Sequence, residues 1–212
     1  MLSLNWKSEG RKCLIIGGGH VAVRKTKRLI KAGTSVTVIA AASEDIIASL
    51  AEKGIIEYKN RQFYKGDEDG FDLVISAAGN KEIAEYLQKR AEEKCFLYNA
   101  ADFPVYGNVH FPACIERKHL TVALSTEGKS PAFSRAVKEW LDREIPENFG
   151  EWADWMALLR EEAKKRIATP TARELFWRTA FSEEVMAYVS QGNLKQAEEL
   201  IRHAMDGFGT EP

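Results

Sequence analysis

KCLIIGGGHVAVRK, residues 12–25, runs from a short apolar segment through three glycines into a helix-forming segment. KCLII is apolar on consecutive positions rather than alternate ones. That pattern suits a strand buried on both faces, as in a parallel sheet. Residues 21–32 read as a helix with Val21, Leu29 and Ala32 available for packing and Gly33 as its stop. Between strand and helix, Gly17-Gly18-Gly19-His20-Val21-Ala22 spells G-x-G-x-x-A in the setting that gives this pattern meaning. Gly17 permits the tight turn, Gly19 leaves no side chain in the way of a pyrophosphate, and Ala22 lets the helix lie close on the sheet. The helix start then offers unpaired N–H groups and a positive dipole end to phosphates. In a non-binding α/β domain the same glycines are only a tight turn; the flanking strand and helix favour a phosphate loop.

The alternation continues outward. Val36, Val38 and Ile39 form a second β-branched run, residues 44–53 look helical with Gly54 ending them, and residues 55–58 make a third strand. FDLVIS, residues 71–76, is a fourth strand, followed by the small-residue turn Ala77-Ala78-Gly79-Asn80. Residues 81–94 form an amphipathic helix with Ile83, Tyr86, Leu87 and Arg90 at helical spacing, and residues 96–98 a fifth strand. Strands alternating with helices give an α/β class, a Rossmann-type parallel sheet over residues 1–112. The pattern then changes. Residues 109–115 and 120–125 are extended runs joined by a polar turn at 116–119, with no room for a helix, so they pair antiparallel. Residues 130–145 form a helix with Pro131 at its first position, which makes 113–150 a small α+β segment. Residues 151–212 read as all-helical. Trp152, Trp155, Met156 and Leu159 form one stripe, Thr169-Pro170 opens a second helix, and Gly192-Asn193 precedes a third carrying Leu194, Ala197, Leu200, Ile201 and Ala204. The tail GFGTEP is expected to fray.

Composition narrows the partners. In 212 residues the formal net charge is −1, so neither nucleic acid nor an anionic membrane surface is expected as partner. No stretch is apolar enough to span a bilayer, and MLSLNWKSEG lacks the basic and apolar regions of a signal peptide. Cys13, Cys95 and Cys114 form no CxxC, which argues against a disulfide frame or zinc site and for the cytoplasm. His20, His110, His119 and His203 share no metal-ligand spacing, so no metal is expected.

The dinucleotide fingerprint usually has an acid about twenty residues on, at the end of the second strand, to hold a ribose hydroxyl. Here that strand ends Ile39-Ala40-Ala41-Ala42-Ser43, and the first acid is Glu44. Backbone near Ala41 and Ala42, or the Ser43 hydroxyl, is left to take that role. No Arg or Lys stands there for a 2′-phosphate, so NAD is favoured over NADP. A second loop, with Ser76, Ala77 and Asn80, should cross the cofactor's edge, Asn80 serving equally as a helix cap. After the fifth strand, Asn99-Ala100-Ala101-Asp102 lies where ligands bind in open α/β sheets. Asp102 is thus a candidate general base, or else a solvated turn aspartate. Ser125-Thr126-Glu127-Gly128-Lys129-Ser130-Pro131 offers hydroxyls, N–H groups and Lys129 to carboxylates, or is simply a capped helix start. His110 is close to Asp102 in sequence and a candidate for the same cleft, while His20 serves the phosphate loop through its backbone.

Taken together, GGGHVAVRK, LVISAAGN, NAAD, FPA and STEGKSPAFSR, in this order and spacing, resemble the precorrin-2 dehydrogenases of siroheme synthesis. Some members of that family are also sirohydrochlorin ferrochelatases. The likeness covers residues 1–145 in detail and the helical tail by class. It implies an enzyme that passes hydride from precorrin-2 to NAD, giving sirohydrochlorin, and that works as a homodimer. Residues 113–150 would build the dimer interface and the helical tail would cover the tetrapyrrole cleft. Family cofactor contacts map onto Gly17, Gly19, His20, Val21, Ala41 and Ala42, with residues 76–80 nearby. The catalytic aspartate maps onto Asp102 and the serine-rich turn onto Ser125 and Thr126. Arg24, Lys25, Lys129 and Arg135 are candidates to pair with substrate carboxylates. The chain departs from the family pattern at Gly107-Asn108-Val109-His110, at Glu127 in the place of a first glycine, and at the missing acid after the second strand. The first two bear on chelation more than on dehydrogenation. The length leaves no room for a methyltransferase domain. The alternatives are a bifunctional dehydrogenase and chelatase that inserts ferrous or cobaltous ion, and a non-catalytic NAD-sensing module.

Overall fold

β1 (Lys12–Ile16) lies at the centre of a five-stranded parallel sheet. Cys13 and Ile15 face one layer, Leu14 and Ile16 the other, and all four are at most 2% exposed. A strand covered on both faces has no polar side to show, which is why KCLII does not alternate. The structure, a computed structural model, describes residues 2–208. The last four residues of the tail expected to fray lie outside the described residues.

β2 (Ser35–Ile39), β3 (Glu57–Lys59), β4 (Leu73–Ser76) and β5 (Leu97–Ala100) complete the sheet in the order β3-β2-β1-β4-β5. Cys13 stands level with Val36 on one side and with Leu73 on the other. α1 (His20–Lys31) and α2 (Asp45–Glu52) bring Val23, Leu29 and Ile47 to the first layer; α3 (Lys81–Lys94) brings Leu87 and Ala91 to the second. Each aliphatic side chain so buried contributes about 1.5–3 kcal/mol. Strand order reverses between β1 and β4, and that reversal opens a crevice at their carboxyl ends. The Rossmann-type α/β class read from the sequence is the class observed.

The chain divides into two compact units, Met1–Phe111 and Pro112–Pro212. In the second, β6 (Ala113–Arg117) and β7 (Leu120–Leu124) form an antiparallel hairpin, followed by α4 (Pro131–Glu144). α5 (Phe149–Arg166), α6 (Pro170–Ala180), α7 (Glu183–Ser190) and α8 (Leu194–Gly207) close around Trp152, Leu159, Phe176, Val185 and Ile201. Hairpin and helices share one unit: a Cβ on Gly150 of α5 would lie 1.7 Å from the Arg117 carbonyl oxygen, so two backbones meet there.

Several boundaries differ from the sequence reading, each for a local reason. The third strand, expected at 55–58, starts two residues later and spans Glu57–Lys59. Ile55 still belongs to the close of α2, its N–H donating to the Leu50 carbonyl just after Gly54 N–H donates to Ala51. The extended run expected from 109 pairs only from Ala113, opposite Leu124. Asn108 and Val109 are held elsewhere. Both backbone N–H groups donate to Tyr98 O, and the Asn108 side chain accepts from Tyr98 N (2.7 Å) and donates to Phe96 O (3.1 Å), along the outer edge of β5. The expected turn at 116–119 shrinks to Lys118-His119, with Lys118 in the left-handed region at φ +49°. The helix opened at Thr169 ends at Ala180, and Ser182 starts a new one by accepting from Val185 N at 3.2 Å.

Candidate functional site

The crevice at the strand reversal has a volume of about 480 Å³. It is lined by Gly17, Gly18 and Gly19, by Ala41 and Ala42 after β2, by Ala77, Ala78 and Asn80 after β4, and by Gln62 and Phe63 after β3. Each glycine answers a different demand. Gly17 sits at φ +119°, and a Cβ there would lie 2.2 Å from Ala77 O. A Cβ on Gly18 would lie 2.2 Å from Ala42 O. A Cβ on Gly19 would meet nothing within 4 Å; it would project into open space at the helix start. Hydrogen bonds hold the loop in place: Gly17 N donates to Ile39 O (2.9 Å), Ala77 N to Ile16 O (2.8 Å) and Glu44 N to Gly18 O (2.9 Å).

α1 begins without a side-chain cap and with no acid in its first turn. Its first backbone bond is Val23 N to Gly19 O, so the N–H groups of residues 20–22 have no helical acceptor. Bare donors, a positive helix end, no carboxylate in the lining and a space that only glycine leaves open form a cradle that fits a dinucleotide's diphosphate.

The predicted site residues differ in where the fold places them. Gly17, Gly19, Ala41, Ala42, Ala77 and Asn80 line the crevice; Asn80 also caps α3, accepting from Ile83 N at 3.1 Å. His20 and Val21 form the first turn of α1 just outside that lining. Ser76 points inward, its hydroxyl 2.7 Å from the Tyr98 hydroxyl and 6% exposed. Burial pushes the Tyr98 phenol above its ordinary value, with Ser76 opposing and the nearby Asp102 charge adding to it. Asp102 is exposed after β5, and its Oδ2 accepts from Gly79 N at 2.7 Å. The aspartate is thereby tied to the same turn, 77–80, that borders the crevice. His110 is exposed; the hydrogen bond to Asp102 comes from Gly79, not from it.

Ser125 belongs to the second unit. Its hydroxyl accepts from Glu127 N (3.1 Å), and Thr126 ties the turn to α4 through Ser134 at 2.9 Å. Glu127 and Gly128 are both left-handed, at φ +54° and +81°, and Lys129 N donates back to Thr126 O. That geometry explains why a glycine suits position 127. Ser130 caps α4, accepting from Phe133 N at 3.2 Å. Of the candidate carboxylate partners, Arg24, Lys129 and Arg135 are exposed, whereas Lys25 lies 3.8 Å over the Phe111 ring. Burial, helped by Arg28 and Arg24, brings the Lys25 ammonium down to about 8.

Sequence patterning did not reveal Gly18, Gln62 or Phe63. Gly18 occupies an unspecified position of the motif, and the loop after β3 carries no motif at all. The run of three glycines was the available hint for Gly18.

Fold and crevice together define a Rossmann-type NAD(P)-binding class of protein. A family model described as "Putative NAD(P)-binding" matches residues 4–113, and one described as "Sirohaem synthase dimerisation region" matches residues 148–205. The siroheme synthase of Methylococcus capsulatus is 37% identical over 92% of this chain and 41% of its own length. That of Methylobacillus flagellatus is 32% identical over 96% of this chain and 43% of its own. The solved structure of SirC, a precorrin-2 dehydrogenase, has the same fold, with a TM-score of 0.74, 21% identity, 94% of this chain covered and 100% of that one. The chain belongs to the siroheme synthase N-terminal family, an NAD(P)-binding region followed by a dimerisation region. It spans less than half the length of these siroheme synthases. No helix among the described residues is long and apolar enough to cross a membrane.

Proposed function

We propose that this chain oxidises precorrin-2 to sirohydrochlorin with NAD as hydride acceptor, as a homodimer in the cytoplasm. The observation that carries the reading is the position of Asp102, a carboxylate bonded to the turn that borders a cradle fit for a dinucleotide. Family membership and the fold shared with a precorrin-2 dehydrogenase support the substrate.

Gly17, Gly18 and Gly19 and the first N–H groups of α1 hold the diphosphate, fixing the dinucleotide along the crevice. When bound, NAD supplies a ring carbon that takes the hydride. Asp102 takes the accompanying proton. Its Oδ2 is committed to Gly79 N, and Oδ1 has no hydrogen-bond partner among the described residues, so Oδ1 is the atom that receives it. The hydride leaves a macrocycle carbon, the C–H bond that Asp102 breaks returns its electron pair to the ring, and conjugation is extended. The bond from Gly79 fixes where Oδ1 stands.

The test mixes purified protein, precorrin-2 and NAD and follows sirohydrochlorin absorbance. NAD binding without turnover would sink the enzyme reading in favour of a sensing module. Asp102→Asn should cut turnover about 10²–10⁴-fold with NAD affinity kept, the range of a lost general base. Unchanged turnover would remove Asp102 as the proton acceptor. Ferrous ion added to the same mixture reads chelation.

A further inference from the structure

The crevice has a gap in its chemistry at the adenosine end. Ala41 and Ala42 stand where a ribose-binding acid usually ends the second strand, and neither side chain can hydrogen-bond. Among the described residues lining the crevice, Gln62 and Asn80 alone carry polar side chains, and Asn80 is engaged at the start of α3. That leaves Gln62. It follows β3, which lies beside β2 on the adenosine side of the strand reversal.

The loop that carries it is firmly held. Arg61 makes two bonds to Asp67, at 2.6 and 2.7 Å, and a third to the Gln62 carbonyl at 2.9 Å. Tyr64 N donates to Asp67 at 2.8 Å, and the Arg61 guanidinium keeps that carboxyl below its ordinary value. Phe63 packs inward, its ring 6.3 Å from Tyr86. With Arg61 and Phe63 both anchored, the exposed Gln62 side chain is the one the loop leaves for a ligand.

We propose that Gln62 takes the place of the missing acid, its carboxamide bonding the adenosine ribose without the charge that would exclude NADP. This inference rests on the dinucleotide reading above. A carboxylate in that role accepts from the ribose hydroxyl and repels a 2′-phosphate, whereas a neutral carboxamide accepts more weakly and repels nothing. Discrimination against NADP is then weak in the native chain, and adding one charge at this position creates it.

The experiment measures dissociation constants for NAD and NADP by calorimetry on the full chain, without substrate, for the native protein, Gln62→Ala and Gln62→Glu. Circular dichroism melts verify folding, which an exposed side chain leaves intact. Gln62→Ala should weaken NAD about 3–10-fold, the worth of one neutral hydrogen bond. Gln62→Glu should leave NAD within a few-fold of native and widen the NAD-to-NADP affinity ratio roughly tenfold or more. A native protein that binds NAD while both variants keep the native constants for both nucleotides overturns the inference and leaves the dinucleotide reading standing. A native protein that binds neither nucleotide overturns both.

Discussion

Gly18 shows how far a motif reads at the scale of one residue. Gly17 and Gly19 are legible in the sequence because the left-handed φ of Gly17 arises within the turn and the demand on Gly19 comes from the ligand, although Gly17 also lies against Ala77 O. The demand on Gly18 comes from Ala42 O, far along the chain, and only the folded backbone brings the two within reach. Gly18→Ala must therefore move the loop or the end of β2. We expect a loss of about 1–3 kcal/mol in chemical denaturation, as for overpacking, together with loss of NAD binding; an unaltered variant would contradict the contact. Lys25 supplies a second test. The Phe111 ring favours its charged form, but burial and the neighbouring Arg24 and Arg28 outweigh the ring, and the value falls from 10.5 to about 8. Between those two values the unfolded chain holds a proton that the folded one has released. Stability contributed by this group therefore rises with pH across that window, and below about 8 the penalty is present in full. Lys25→Met should raise the melting temperature at pH 7, and the gain should shrink above pH 10.5. An equal gain at both would show that Lys25 is not strained by its charge.

At the scale of elements, strands and helices with strong internal periodicity were legible, and their boundaries only where a local signal marks them. β1 and α3 begin and end at the expected residues because apolar runs and caps are local signals. β3 starts late because Ile55 completes the close of α2, a backbone bond that side-chain patterning cannot display. The break between α6 and α7 lacks glycine and proline; its sign is the cap Ser182 followed by Glu183 and Glu184. The long extended run expected from 109 fails because Asn108 bonds to β5 instead. Asn108→Ala should leave Tyr98 N and Phe96 O without these partners and cost about 1–2 kcal/mol, read as a shift of the denaturation midpoint with an unchanged slope. In the site the same rule holds: the phosphate loop and the turn after β4 are motifs, while Gln62 sits in a loop whose position only the sheet determines.

At the scale of the whole molecule, the second unit presents apolar surface. Phe133 and Trp140, seven residues apart on α4, are 61% and 54% exposed. Such a stripe on a monomer calls for a partner, and a second copy is the one the proposed function names. Trp140→Glu should shift the sedimentation of the dimer toward monomer at micromolar concentration while NAD binding by the first unit persists; an intact dimer would place the interface elsewhere. The first unit has the opposite character at its margins. A sheet of five strands has two open sides, each a row of unpaired N–H and C=O groups that invites a strand from another molecule. One side is β3, three residues long with Glu57 and Lys59 upon it. The other is β5, where the amide of Asn108 occupies the backbone groups that an incoming strand would need. The side chain that shortens the first strand of the expected hairpin thus acts as a guard against fibrils, so cross-β growth from the Asn108→Ala variant should begin sooner than from the native chain, with a shorter lag in thioflavin fluorescence.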